Sequence, residues 1–143
     1  MAKGFYFIMQ HVPSQDQVSA ARATGAEEIY VLEPVKAEDK VAGLFYYGSV
    51  RLLNVPDDPA YSREGFLKQA AALVNNVTFG DVVHVMGQGQ LVNAANAMAR
   101  QKGAALVESV TARESVEETQ PDGSVRKVAV FRFKGFRPVY DFS

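Results

Sequence analysis

The chain has 143 residues, a net charge of −1 and 48% apolar residues, the size and composition of one globular domain. That near-neutral balance argues against a module gripping long DNA or RNA by its backbone. The lack of cysteine rules out disulfides and thiolate chemistry, and two histidines without an HExxH pattern predict no metal site.

Phe5–Met9 is a short aromatic and apolar run that reads as a buried first strand. It is too short for a signal segment or a membrane span, so a cytoplasmic protein with no membrane partner is expected. Pro13-Ser14 opens a helix to about Thr24, with Ser14 as N-cap, Gln17 at the capping-box position and Gly25 as the stop. Glu28–Leu32 is a second buried strand, halted before Pro34. Between Lys36 and Tyr61 the pattern suggests a short helix and then an irregular or extended piece, with Asn54 to Pro59 as a loop. Ser62 caps a helix over Arg63–Asn76, and Gly80-Asp81 leads into a third strand.

The most informative stretch is Asp81–Lys102. The apolar run Val82, Val83, Val85, Met86 stops at Gly87-Gln88-Gly89-Gln90, and Leu91, Ala94, Ala95 and Met98 then repeat at helical spacing. A strand feeding a glycine loop into a helix N-terminus presents free N–H groups and the positive dipole end, a geometry that holds phosphate. The pattern is incomplete, because Val92 stands where GxGxxG would place its third glycine and there is no Walker lysine. Glycines that only turn a tight corner between strand and helix remain the plain alternative. Gly103 ends this helix, Ala105–Thr111 reads as a fourth strand, and Arg113–Thr119 with Val125–Phe133 flank the turn Pro121-Asp122-Gly123 as a hairpin.

Strands alternating with helices predict an α/β fold over residues 1–143: a Rossmann-like, mostly parallel sheet flanked by helices, with a C-terminal antiparallel hairpin that joins the sheet or projects as an arm. Ligands in such sheets bind beyond the C-terminal strand ends. Three segments meet that criterion: Gln10 to Ser14, Gly87 to Gln90, and Thr111 to Ser115. If the first and third strands are neighbours, His11 and Ser14 lie beside the glycine loop, and imidazole suits proton transfer near neutral pH. His84, in mid-strand, reads as a core histidine. The C-terminal part interleaves Arg113, Arg126, Lys127, Arg132, Lys134 and Arg137 with Phe131, Phe133, Phe136 and Tyr140. Cations and aromatic faces in that order suit phosphates and bases, but they equally describe a half-exposed strand whose Glu114, Glu117 and Glu118 pair across the hairpin.

Three stretches, FIMQHVPSQDQ, VVHVMGQGQLVNAANAMARQKG and TARESVEETQPDGSVRKVAVFRFKGFRPV, make the chain resemble the small ring-nuclease-like accessory proteins of type III CRISPR systems, relatives of the CRISPR-associated Rossmann-fold domains. Where that family carries Asn-His-x-Leu-Thr after strand one, this chain has Gln10-His11-Val12-Pro13-Ser14. The resemblance implies a cyclic oligoadenylate ligand, tetra-adenylate favoured, and cleavage of its ring by attack of a 2′-hydroxyl on the adjacent phosphodiester, without a cofactor. It assigns His11, Ser14 and Arg113 to catalysis. Gln10, Gly87, Gln88, Gly89, Gln90 and Arg137 would bind the ligand in a homodimer matched to the ring's symmetry. The alternatives are a messenger-binding protein without turnover and a Rossmann-like interaction module using exposed Phe131, Phe136 and Tyr140. NAD-dependent hydride transfer, with Glu33 as ribose-binding acid, is the weakest reading.

Overall fold

A computed structural model describes residues 3–143. Strand β1 (Gly4–Ile8) is buried at all of its positions because it lies between two parallel neighbours and is covered on both faces. Its partners are β2 (Glu28–Leu32) and β4 (Val82–Val85), and β3 (Phe45–Tyr47) forms one edge beyond β2. On the other side β5 (Ala105–Thr119) runs parallel to β4, and β6 (Val125–Pro138) returns antiparallel to β5. The six strands therefore stand in the order β3-β2-β1-β4-β5-β6.

Helix α1 (Gln15–Ala23) follows β1 and leads toward the β2 edge, whereas α3 (Gly89–Gln101) follows β4 and leads toward β5. Displacements in opposite directions, with right-handed crossovers, put the helices on opposite faces. Accordingly α1 packs through Ala21 and Val18 on Phe5, Phe7, Ile29, Val31 and Val82. Helix α2 (Arg63–Leu73) and α3 cover Tyr6, Ile8, Leu32 and Val83 from the other side. At the N-terminal strand ends the buried Asp81 carboxylate accepts the Gly4 N–H at 3.0 Å and the Thr78 N–H at 2.9 Å, tying β4 to β1.

The expected capping box is present: Ser14 Oγ accepts the Gln17 N–H and Gln17 Oε1 accepts the Ser14 N–H. Three boundaries differ from expectation. Helix α2 ends at Leu73 instead of Asn76, with Val74 as its C-cap. The middle segment contains a strand, β3, between Gly43 and Gly48, and its three residues Phe45, Tyr46 and Tyr47 are too few for a periodicity to show. Most consequential, the expected fourth strand and the first hairpin arm are one uninterrupted strand, β5. Nothing between Thr111 and Arg113 is a glycine or proline that would break it.

Only Ala105 to Val107 of β5 pair with β4, so the remainder continues past the sheet with β6 as its sole partner. From Thr111 to Thr119 this ribbon is an arm roughly 30 Å long. A bulge at its base shifts the register between Val110 and Thr111, and Gly135 beside it has φ +136°, a conformation that favours glycine. At the tip Gly123, with φ +86°, donates to the Gln120 carbonyl at 2.9 Å. Glu114 binds Arg132 and Lys134, each at 2.6 Å, which is the cross-hairpin pairing expected of the acidic residues. Those two cations, hydrogen bonding from Lys134 foremost, hold its carboxyl below the usual range.

Candidate functional site

The switch point of the sheet lies between β1 and β4, because chain direction across the sheet reverses there. Beyond their C-terminal ends is a cleft of about 380 Å³ lined by Met9, Gln10, His11, Leu53, Asn54, Met86, Gly87 and Gln88. The neighbouring strands on which the site expectation depended are thus neighbours, and they bring Gln10 and His11 to the glycine loop. Leu53 and Asn54 complete the wall from the segment after β3, a contribution absent from the sequence reading. They carry no chemical signature that could have marked them.

Gly87 has φ +152°, a conformation that favours glycine, and the nearest atom to a Cβ built there is Leu53 Cδ2 at 3.9 Å. The glycine is therefore required by the backbone and not by crowding. Gly89 and Gln90 belong to the first turn of α3 instead of a loop, and Gly89 has neither a positive φ nor a neighbour within 4 Å. Gln88 is the N-cap: its Oε1 accepts the Gln90 N–H at 2.9 Å and the Leu91 N–H at 3.1 Å. A side-chain oxygen thus sits where an anion's oxygen would satisfy the helix N-terminus. Among the described residues, the N–H groups of Gly87, Gln88 and Gly89 donate to no protein acceptor.

Other expected site residues are placed elsewhere. Ser14 is outside the cleft lining, and its hydroxyl oxygen is engaged in the α1 capping box. Arg113 is not at a strand end: it is exposed in mid-arm opposite Phe131, because β5 runs on through the segment expected to be a loop. Arg137 lies in β6, with its Nε 2.5 Å from Glu108 Oε2. Gln90 faces a neighbouring groove between α2 and α3. The cleft of one copy is consequently lined by one imidazole and by no lysine or arginine.

His84 is core, 1% exposed, as its mid-strand position suggested. It lies among the Phe7 and Phe136 rings, and burial pushes its pKa down. A polar chain links it to the cleft loop. The Ser14 N–H can only donate, so Gln17 turns Oε1 toward it and Nε2 toward Ser109 Oγ, at 3.1 Å. Ser109 Oγ, accepting from Gln17, also hydrogen bonds with His84 Nε2 at 2.7 Å. The other ring nitrogen, Nδ1, is buried without a hydrogen-bond partner. The chain anchors the start of α1, immediately after the His11 loop, to the base of the arm. Phe136 packs 5.1 Å from Phe5 and is half-buried, so of the three aromatics considered for partner binding only Phe131 (72%) and Tyr140 (64%) are widely exposed.

The family model described as "Uncharacterized protein MJ1673 family" matches residues 3–137. The chain belongs to this family. The match takes in every strand and helix described above except Pro138, the last residue of β6, and it includes the cleft and the arm. No curated protein matches the chain. Among the described residues no helix is long and apolar enough to cross a membrane, and no three His, Asp or Glu side chains form a group that could hold a metal ion.

Proposed function

We propose that this protein binds a nucleotide phosphate in the switch-point cleft and that its ligand is a cyclic oligoadenylate, with the tetra-adenylate favoured. The observation that carries the reading is the meeting of His11 with Gly87 and Gln88 in one cleft at the N-terminal end of α3, where the N–H groups of Gly87, Gln88 and Gly89 are without protein acceptors. A phosphodiester oxygen there is held by backbone dipoles, either beside the Gln88 carbonyl or in its place. The resemblance of the β1, β4–α3 and arm sequences to ring-nuclease-like proteins supports the cyclic ligand. In the cleavage step the 2′-hydroxyl attacks the adjacent phosphorus and loses its proton to His11. The P–O5′ bond breaks and the leaving oxygen takes a proton from water, giving a 2′,3′-cyclic phosphate and a 5′-hydroxyl, while His11 returns its proton to solvent.

Binding without turnover is the second reading, and the lack of a lysine or arginine in the cleft lining of one copy favours it. Charge developing on the phosphorane needs a cation or a donor cluster. A cytoplasmic homodimer supplies a route to that cation, because the exposed arm of a second copy carries Arg113. The dimer itself is supported by the arm, since a two-stranded ribbon standing alone is marginal in water. Its Ala112, Val116, Val128 and Val130 share one face.

Incubation with cyclic tri-, tetra- and hexa-adenylate in EDTA, with products resolved by chromatography, tests both readings. Linear products ending in a cyclic phosphate, lost in His11→Ala, establish cleavage by this site. Intact ligand co-eluting with the protein establishes binding alone. Neither outcome with any ring overturns the proposal.

A further inference from the structure

A second cavity lies near the cleft, and of the expected site residues only Gln90 borders it. It is a groove of about 580 Å³ between α2 and α3, bordered by Tyr61, Arg63, Phe66, Gln90, Asn93 and Gln101. A smaller recess of about 310 Å³ shares Tyr61, Phe66 and Gln90 with this groove and Gln88 with the cleft. The three depressions therefore lie side by side around the N-terminus of α3. A volume of this order suits a base-sized ligand portion.

The aromatic wall of the groove is held rigidly. Any Cβ at Gly65 would stand 2.6 Å from the Tyr61 ring, so the ring lies directly on the helix backbone there. Phe66 meets it edge-on, with centroids 4.9 Å apart. The Tyr61 hydroxyl donates to Gln69 Oε1 at 2.5 Å, and Gln69 Nε2 donates to the carbonyls of Leu52 at 3.1 Å and Asn54 at 2.7 Å. Carbonyl oxygens only accept, so this orientation of the Gln69 amide is fixed. Leu53 and Asn54 are in turn a wall of the cleft, so one hydrogen-bonded unit positions both cavities. On the opposite wall Gln90 and Asn93 are exposed amides on the α3 surface. Stacking surface on one side and paired amide donors and acceptors on the other are the groups that read a purine edge.

The geometry points to the α2–α3 groove as a purine-base subsite, which takes the base of a nucleotide whose phosphate sits at Gly87–Gly89. The inference rests on the cleft being the phosphate site. Its ligand is then at least one nucleotide unit laid around the start of α3, with its base over Tyr61 and Phe66.

The test uses 2′-O-methylated adenylyl-adenosine, which has no attacking hydroxyl, and inorganic phosphate, each titrated calorimetrically into the full chain. Ala97 is an exposed groove residue on α3, so Ala97→Trp fills the groove without disturbing the core. Asn93→Ala removes one amide. The expected result is a dinucleotide affinity lowered at least about fivefold by either change, the lower end of one base-stacking contribution, with phosphate affinity unchanged. Dinucleotide affinity unaltered by both variants overturns the subsite and leaves the cleft reading standing. Wild-type protein that binds phosphate but holds the dinucleotide no more tightly does the same. Binding of neither ligand overturns both.

Discussion

Ser109→Ala separates a coupled polar chain from an incidental contact. The hydroxyl is shared by two bonds, at 2.7 Å to His84 Nε2 and 3.1 Å to Gln17 Nε2. Its loss leaves an imidazole that is 1% exposed with neither ring nitrogen partnered, because Nδ1 already lacks a partner. A lost hydrogen bond costs about 1 kcal/mol and an unsatisfied buried polar group about 1–3 kcal/mol, so a total of about 2–4 kcal/mol is expected. His84→Leu removes the polar ring from its setting beside Phe7 and Phe136 and replaces it with an apolar group of similar size. In that background Ser109→Ala breaks only the part-buried Gln17 bond, and its cost falls to about 1 kcal/mol or less. Urea unfolding of the four proteins at pH 7.5 gives the coupling energy, expected at about 1–3 kcal/mol. Equal costs of Ser109→Ala in both backgrounds would refute the assigned chain, and so would a single-mutant cost below about 0.5 kcal/mol.

The same residue sets the acid response. Burial lowers the His84 pKa in the folded state, so the unfolded chain binds the proton more readily. The contribution is fully present above the unfolded value of about 6.5 and is lost as pH falls from there through the folded pKa. Urea midpoints measured from pH 7.5 down to 5 should fall, and His84→Leu should flatten that slope; an equal slope in the variant refutes the assignment. Gly87→Ala forces an L-residue into φ +152° and is expected to cost about 1–3 kcal/mol, together with phosphate affinity. Gly89→Ala, in open helical space, should stabilise by about 0.4–1 kcal/mol, and equal effects of the two changes in urea melts would contradict this account. Joining Ala112 directly to Arg132, which stand opposite each other, through an Asn-Gly turn removes the arm. Light scattering should then report a folded monomer, and a persistent dimer shows that the interface lies elsewhere.

Where local chemistry is complete within a few residues, the sequence and the structure agree. Ser14 and Gln17 close a capping box that needs only three residues of separation, and Gly87 marks a turn that only glycine adopts readily. Burial of β1 at every position likewise follows from an unbroken apolar run. The two differ where a segment carries no boundary of its own. Thr111 to Ser115 has the composition of a strand and of a half-polar loop alike, and pairing with Phe131 and its neighbours decides for the strand. That single outcome removes Arg113 from the cleft of its own chain.

Sequence alone determined the alternation of strands and helices, the helix caps and the position of the glycine turn, since these depend on side chains a few residues apart. Tertiary structure decided the strand order, which places β1 beside β4 and so brings His11 to Gly87 across 75 intervening positions. It also decided that Leu53 and Asn54 wall the cleft, that Tyr61 and Phe66 face Asn93, and that the hairpin leaves the sheet as an arm. These contacts join residues far apart in the chain. They form because burying both faces of one sheet fixes where each helix and loop must lie, and no local pattern records that geometry.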